Sequence, residues 1–329
     1  MKVNTTGNSS GMFLEYCLKN IFIVRSPSSS YLKSSIAVCI FNVIFGIVGT
    51  FLNTLVLFVF LKSKNMRQKS SYFCIMILSA TDLIVVTSVP VMFLLSSIPE
   101  ILGTPQCFSR ICFVIVSRTT PLLSATSLII MNIERYLAIV HPILHRNSVT
   151  NGKIVFTFMV IALIFFTSAA INFTWKSIGL LIYSVSAFMI CSITFFQYVT
   201  IFSIARKAVF GQVTKVSKEE ITMGNIGPNL RDLKMARICF FIVFLCFICY
   251  LPIAIITGVW QHFFRNKENW NALFNCILWL TLLITMNATL NCLIFFWGNR
   301  ELRKQGLKLV RSCFRCKIRS KDFKEITTQ

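Results

Sequence analysis

One acidic residue lies in the middle of a long apolar run, where an ionised group is costly unless something stabilises it. Asp82 is the only charged residue of its run. Side chains able to meet it stand in other apolar runs, at Asn53, Ser124, Asn287 and Asn291. A carboxylate surrounded by hydroxyl and amide oxygens suits a small hard cation such as Na⁺. We therefore predict a sodium site at Asp82, Ser124, Asn287 and Asn291. The alternative is a polar network that only joins helices.

A second group of residues steps by four and three along the third apolar run, as residues on one helix face do. This stripe consists of Ser117, Pro121, Ser124, Leu128, Met131 and Arg135. It ends in the triplet Glu134-Arg135-Tyr136 at the boundary of the run. The charged pair either snorkels towards the lipid headgroups or acts as a latch, with Asp232 before the sixth run as the expected partner. Breaking such a latch would let the sixth helix swing outward.

A third candidate is Arg118, a cation in the outer half of the same run. Its nearest carboxylate in the run is Glu134, about 24 Å away along a helix that rises about 1.5 Å per residue. A guanidinium binds carboxylates and phosphates through a rigid fork of donors, so Arg118 predicts a ligand with an acidic group. The alternatives are snorkelling towards the outer headgroups and pairing with Glu100. The predicted ligand-binding residues are Ser117, Arg118, Pro121, Tyr250 and Trp279.

The elements that position these residues are membrane-spanning helices. Hydrophobic residues make up 55% of the 329 residues and charged residues 13%, against about 25% charged residues in a soluble domain. The mean hydropathy of +0.72 excludes a disordered chain and an ordinary soluble enzyme. Seven runs reach the roughly 20 residues that a spanning helix needs. They are Ile36–Leu61, Ser71–Ser97, Cys107–Val140, Ile154–Trp175, Ser177–Ala205, Ile238–Gln261 and Trp270–Gly298.

The distribution of basic residues predicts the orientation. If the N-terminus is outside, most loop lysines and arginines fall inside, as the positive-inside rule requires. The net charge of +22 is then a topology signal and an attraction to anionic membrane lipids, with no need for a nucleic-acid partner. We predict an extracellular tail over 1–35, a seven-helix bundle over 36–298, and a cytoplasmic eighth helix and tail over 299–329.

Several residues outside the bundle are candidates for modification. Asn4 and Asn8 begin glycosylation sequons on the predicted outer side. Residues 299–311 alternate leucines with basic residues, as an interfacial amphipathic helix does. Cys313 and Cys316 follow that helix and are predicted palmitoylation sites. An extracellular disulfide among Cys17, Cys107, Cys112 and Cys276 is left open.

The triplet Glu134-Arg135-Tyr136, closing the third of seven helices, resembles the E/DRY motif of rhodopsin-like (class A) G-protein-coupled receptors. The likeness covers essentially the whole chain, because further motifs follow in the family's order on the predicted spans. They are Gly49-x-x-x-Asn53, Leu78–Asp82, Pro142, Tyr198-x-x-Ile201, Cys249–Pro252, Asn291–Phe295 and Phe296–Leu302.

The chain also departs from the family pattern. Tyr250 replaces the tryptophan of CWxP, and Cys292 and Phe295 replace the proline and tyrosine of NPxxY. Ile190 stands where the fifth helix usually has proline, and Arg110 stands where the third helix usually has its outer cysteine. The short second outer loop has no cysteine, so the usual disulfide to it is not expected. Together the missing proline, the missing disulfide and the short loop resemble the melanocortin-like side of the family.

The resemblance implies a plasma-membrane receptor that binds an extracellular ligand and activates a heterotrimeric G protein, with arrestin as a further cytoplasmic partner. It implies no enzymatic activity and no cofactor apart from the sodium ion. The implied coupling and switch residues are Glu134, Arg135, Tyr136, Tyr198, Asp232 and Asn291. Amine receptors carry aspartate where this chain has Ser117, which disfavours an amine ligand.

Two rival classes fit the composition. A transporter or channel with a seven-helix bundle is the main alternative, although we see none of the inverted repeats that many transporters show. A retinal pigment would need a Schiff-base lysine in the seventh span, and Trp270–Gly298 contains none.

Overall fold

The computed structural model describes residues 28–104, 106–174 and 270–312, together with isolated positions between 185 and 256. The described residues form α-helices joined by short links, which confirms the predicted all-α fold. The helices are α1 (Ser29–Lys62), α2 (Lys64–Arg67), α3 (Ser70–Ile101), α4 (Cys107–Val140), α5 (Pro142–Ser148), α6 (Asn151–Thr174), α7 (Trp270–Gly298) and α8 (300–312).

The bounds of α4 and α7 agree with the predicted spans, whereas three other helices begin earlier than their apolar runs. The largest difference is at α1, which begins at Ser29 and not at Ile36. Its N-cap is Ser28, whose hydroxyl accepts a hydrogen bond from the Tyr31 backbone N–H at 3.2 Å. A side-chain cap satisfies one of the free donors at a helix start, so the helix extends through polar residues that the apolar pattern leaves out.

Four described helices are long and apolar enough to cross a membrane: α1, α3, most of α4 and most of α7. Large apolar side chains such as Phe58, Phe156 and Phe166 are more than half exposed on the helix surfaces. An apolar surface of this extent is suited to lipid. The described part of the chain is therefore that of a multi-pass membrane protein.

α1 and α7 are joined by polar contacts between residues 42–53 of α1 and 285–292 of α7. Thr285 Oγ1 donates to Asn42 Oδ1 at 2.7 Å, and Thr289 Oγ1 donates to the Phe45 carbonyl at 3.0 Å. Gly49 allows this close approach, since a Cβ atom there would lie 2.6 Å from Thr289 Oγ1. Small residues and hydrogen bonds of this kind hold helices together where lipid removes the hydrophobic driving force.

The predicted amphipathic helix is present as α8, directly after α7. Asn299 caps it, with its Oδ1 accepting from the Glu301 and Leu302 backbone N–H groups at 3.1 and 3.2 Å. Leu302 and Gly306 are buried against the bundle, while the basic side chains of α8 are exposed. A methyl group at Gly306 would lie 2.8 Å from the Phe296 ring, so this glycine allows α8 to fold back onto α7.

Candidate functional site

The predicted polar cluster around Asp82 is assembled from three helices. Asp82 on α3 is fully buried. Its Oδ1 accepts a hydrogen bond from Ser124 Oγ on α4, and its Oδ2 accepts from Asn291 Nδ2 on α7 at 3.0 Å. The structure therefore brings together three of the four residues that the sequence placed in one site.

Two buried amides of α7 have side-chain atoms with no hydrogen-bond partner in the part of the chain that the structure describes. Both side-chain polar atoms of Asn287 and the Oδ1 of Asn291 are buried and unpaired. Leaving such groups unsatisfied in an apolar interior is costly. Carboxylate, hydroxyl and amide oxygens are the ligands of a hard cation, so the residues present fit Na⁺.

Asn53, the fifth sequence candidate for this cluster, has other partners. Its Nδ2 donates to the Gly49 carbonyl at 2.9 Å and to the Ala288 carbonyl on α7 at 3.4 Å. Its Oδ1 accepts from Cys292 Sγ at 2.7 Å. Asn53 thus joins α1 to α7, and the cysteine that replaces the family proline takes part in that contact.

The Glu134-Arg135-Tyr136 triplet, near the C-terminal end of α4, contains a carboxylate that accepts hydrogen bonds from three elements. Glu134 is 2% exposed, and the adjacent Arg135 donates to it through Nε at 2.6 Å and Nη2 at 2.8 Å. His145 Nε2 on α5 lies 2.9 Å from Glu134 Oε1, and Ser70 Oγ on α3 donates to the same oxygen at 2.6 Å. Sequence analysis found the pair but missed Ser70 and His145, because these two residues come from other elements.

The short helix α5 lies beside this cluster and carries exposed apolar residues. Ile143 is 72% exposed and Leu144 is half exposed. Pro142 is the first residue of α5, a position where its missing N–H costs nothing. Two exposed apolar side chains therefore lie on the same short helix whose His145 contacts Glu134.

A third polar cluster, at the N-terminal ends of α1 and α4 and the C-terminal end of α3, was not predicted. Glu100 Oε2 accepts a hydrogen bond from Tyr31 Oη at 3.0 Å, and Glu100 Oε1 lies 3.6 Å from Arg110 Nη1. Arg110 also donates to Ser96 Oγ at 3.3 Å and lies over the Phe113 ring. The sequence left open an ion pair between Glu100 and Arg118. In the structure, Glu100 instead contacts Tyr31 and Arg110.

The predicted ligand residues on α4 lie along its outer half. Ser117 and Arg118 are half-buried, and Pro121 is buried. The neutral Ser117 hydroxyl donates to its own helix, at the Val114 carbonyl. Trp279 on α7 is 43% exposed.

Some predicted residues lie outside the described residues. These are Asn4, Asn8, Cys17, Tyr198, Asp232, Tyr250, Cys313 and Cys316. Of the cysteines at the outer side, Cys107 is disulfide-bonded, whereas Cys112 and Cys276 are free thiols. All other described cysteines are free as well, so the partner of Cys107 lies outside the described residues.

Comparisons with known proteins cover the part of the chain that holds the whole Glu134 cluster and parts of the other two. Residues 52–178 match the family model of the 7 transmembrane receptor (rhodopsin family). Neuromedin-U receptor 1 of Mus musculus is 24% identical to this chain over 125 residues, which are 37% of this chain and 28% of that receptor. The match thus spans less than a third of the relative's length.

Proposed function

We propose that this chain, which belongs to the rhodopsin family of seven-transmembrane receptors, binds an extracellular ligand and activates a heterotrimeric G protein. In this proposal the receptor lies in the plasma membrane with its N-terminus outside, and arrestin is a further cytoplasmic partner. It has no covalent chemistry of its own: ligand binding shifts the bundle between two states. The likeness to the melanocortin-like side of the family stays a prediction.

One observation carries the proposal: a closed, buried Glu134–Arg135 pair near the C-terminal end of α4, in contact with His145 of α5. Opening this pair would expose a guanidinium at the predicted cytoplasmic face. Ile143 and Leu144, on the same helix as His145, are exposed apolar side chains. A charged anchor with an apolar neighbour is a fitting contact for a partner protein.

Loss of Arg135 should abolish coupling. Reconstituted in lipid nanodiscs, the Arg135→Ala variant should stimulate nucleotide exchange on a panel of purified G proteins no more than empty nanodiscs do. Arg146→Ala, which removes an exposed cation from the neighbouring α5, is the matched control and should keep most of the parent's rate. Equal stimulation by the parent and Arg135→Ala would contradict the assigned role.

We further propose that the ligand carries an acidic group. Arg118 supplies a cation in the outer half of α4, and the residue before it is a neutral serine. A ligand carboxylate or phosphate therefore fits the charge of this region better than an amine does.

Asp82, Ser124, Asn287 and Asn291 are the proposed sodium ligands, and the unpaired buried oxygens support this assignment. A bound Na⁺ would supply positive charge next to the Asp82 carboxylate. The ion favours the inactive state if the site is intact only there. In this proposal the Asp82 cluster is a site that biases the receptor and takes no part in ligand recognition.

Sodium should stabilise the purified receptor, and Asp82→Asn should remove the effect. At a Na⁺ concentration ten times its dissociation constant, mass action gives about 1.4 kcal/mol. The check is thermal unfolding in NaCl against choline chloride at equal ionic strength. Thr81→Val, beside the site but hydrogen-bonded to Ser127, should keep the parent's response. If Asp82→Asn responds as the parent does, the cluster is only a polar join between helices.

A further inference from the structure

We propose that His145 and Ser70 are positioning residues that hold the Glu134 carboxylate against Arg135. Through this carboxylate they set how tightly the inactive pair is closed. The inference rests on the proposed coupling role of Arg135. It adds two residues, from the second cytoplasmic loop and the start of α3, to the machinery of that site.

The need for positioning follows from helix geometry. Glu134 and Arg135 are consecutive residues of α4, and consecutive residues of a helix do not face each other. Yet Arg135 contacts both carboxylate oxygens of Glu134, with Nε on Oε2 at 2.6 Å and Nη2 on Oε1 at 2.8 Å. The Glu134 side chain must therefore be held in an orientation that the helix alone does not favour.

The structure supplies the groups that hold it. Glu134 Oε1 accepts from Ser70 Oγ at 2.6 Å and lies 2.9 Å from His145 Nε2. These donors come from α3 and α5, so the carboxylate is fixed from two directions outside its own helix. Both groups therefore act on the same oxygen. His145 Nε2 and Ser70 Oγ also lie 3.5 Å from each other.

The burial of the cluster makes this support effective. Glu134 is 2% exposed, and the His145 side chain is 22% exposed. A carboxylate shielded from water depends on protein donors for its hydrogen bonds. Without His145, Oε1 keeps Ser70, Arg135 and a long contact from Ser71 at 3.5 Å, and the carboxylate gains freedom to rotate. Arg135 should then leave the pair more often, and α5 should lose its polar contact with α4.

The first experiment compares His145→Phe, which keeps a ring but has no donor, with His145→Gln, whose amide can still donate. In nanodiscs, the basal nucleotide-exchange rate should rise roughly three- to tenfold in His145→Phe, the scale of losing one ordinary hydrogen bond. In His145→Gln, the increase in the basal rate over the parent should be at most half of that in His145→Phe. A basal rate that is unchanged in His145→Phe, or equal in the two variants, would overturn the proposal.

A second readout does not depend on the G protein. The Arg135 Nε–H resonance, assigned in ¹⁵N-arginine-labelled receptor by its absence in Arg135→Ala, reports on the bond to Glu134. Its exchange with water should quicken roughly three- to tenfold in His145→Phe and in Ser70→Ala, and much less in His145→Gln. Equal exchange in all variants would refute the positioning role.

The two readouts separate the two proposals. If no form of the receptor stimulates exchange while the Arg135 resonance responds as expected, the coupling function fails and the positioning role stands. If Arg135→Ala abolishes nucleotide exchange but the Arg135 resonance is the same in the parent and His145→Phe, only the positioning role fails. Ser70→Ala keeps the test decisive if His145→Phe does not fold, because it removes a donor from the same oxygen.

Discussion

Replacing Glu100 by glutamine should lower the free energy of unfolding by about 3–5 kcal/mol, the cost of breaking a buried ion pair by removing one partner. Arg110 would keep its contacts with Ser96 and Phe113. Its positive charge, however, would lose its counter-charge in a place where the side chain is only 8% exposed. Tyr31 would lose a charged acceptor at the same time. Denaturant titration of the purified receptor in detergent measures the change.

A double-mutant cycle tests whether the pair itself is responsible. Arg110→Met should also be destabilising, because it leaves the Glu100 carboxylate without its cation. The double variant Glu100→Gln/Arg110→Met should cost clearly less than the sum of the single changes, since neither charge is then left alone. Strict additivity would mean that the 3.6 Å pair contributes little, and that packing around the two side chains explains the losses.

Removing Arg118 should weaken an acidic agonist by about 2–4 kcal/mol, the scale of truncating one partner of a buried charge pair. This corresponds to a roughly 30- to 1,000-fold higher dissociation constant. Arg118→Lys should recover only part of the affinity, because the ammonium keeps the charge but lacks the bidentate fork. The probe is the carboxylate or phosphate agonist returned by a library screen, and radioligand competition measures its affinity.

The matched control for Arg118 is its neighbour Thr119. The Thr119 hydroxyl donates to the Ile115 carbonyl of its own helix at 2.9 Å, so Thr119→Ala should leave the affinity nearly unchanged. An agonist that is a simple cationic amine, with equal affinity for the parent and Arg118→Ala, would show that the assignment is wrong.

The sequence predicts the helices well where polarity changes sharply. The bounds of α4 and α7 follow from runs that are clearly delimited, as at Cys107 and Gly298. The start of α1 was missed because its first turns are polar and depend on the Ser28 cap, which carries no apolar signal. The amphipathic α8 was predicted correctly, since leucines among basic residues give a clear pattern over few residues.

The candidate sites show the same contrast between contacts that the sequence predicts and contacts that it misses. Asp82, Ser124 and Asn291 were predicted together, because a single charge in an apolar run requires partners and few polar residues exist to provide them. The Glu100–Arg110 pair was missed, because its geometry depends on how the short link before α4 turns the chain. The same reason explains why His145 was missed: sequence spacing within α4 says nothing about which side chain of α5 reaches Glu134.

The contacts between α1 and α7 have a consequence for when the helices can assemble during synthesis. Asn42 and Asn53 enter the bilayer with the first span, but their partners on α7 are separated from them by 243 and 235 positions. Each Nδ2 can bond its own helix at once, but each Oδ1 lacks its α7 donor, Thr285 or Cys292, until α7 is synthesised. A nascent chain that stops before α7 therefore leaves these oxygens of α1 without the partners that relieve their cost in lipid.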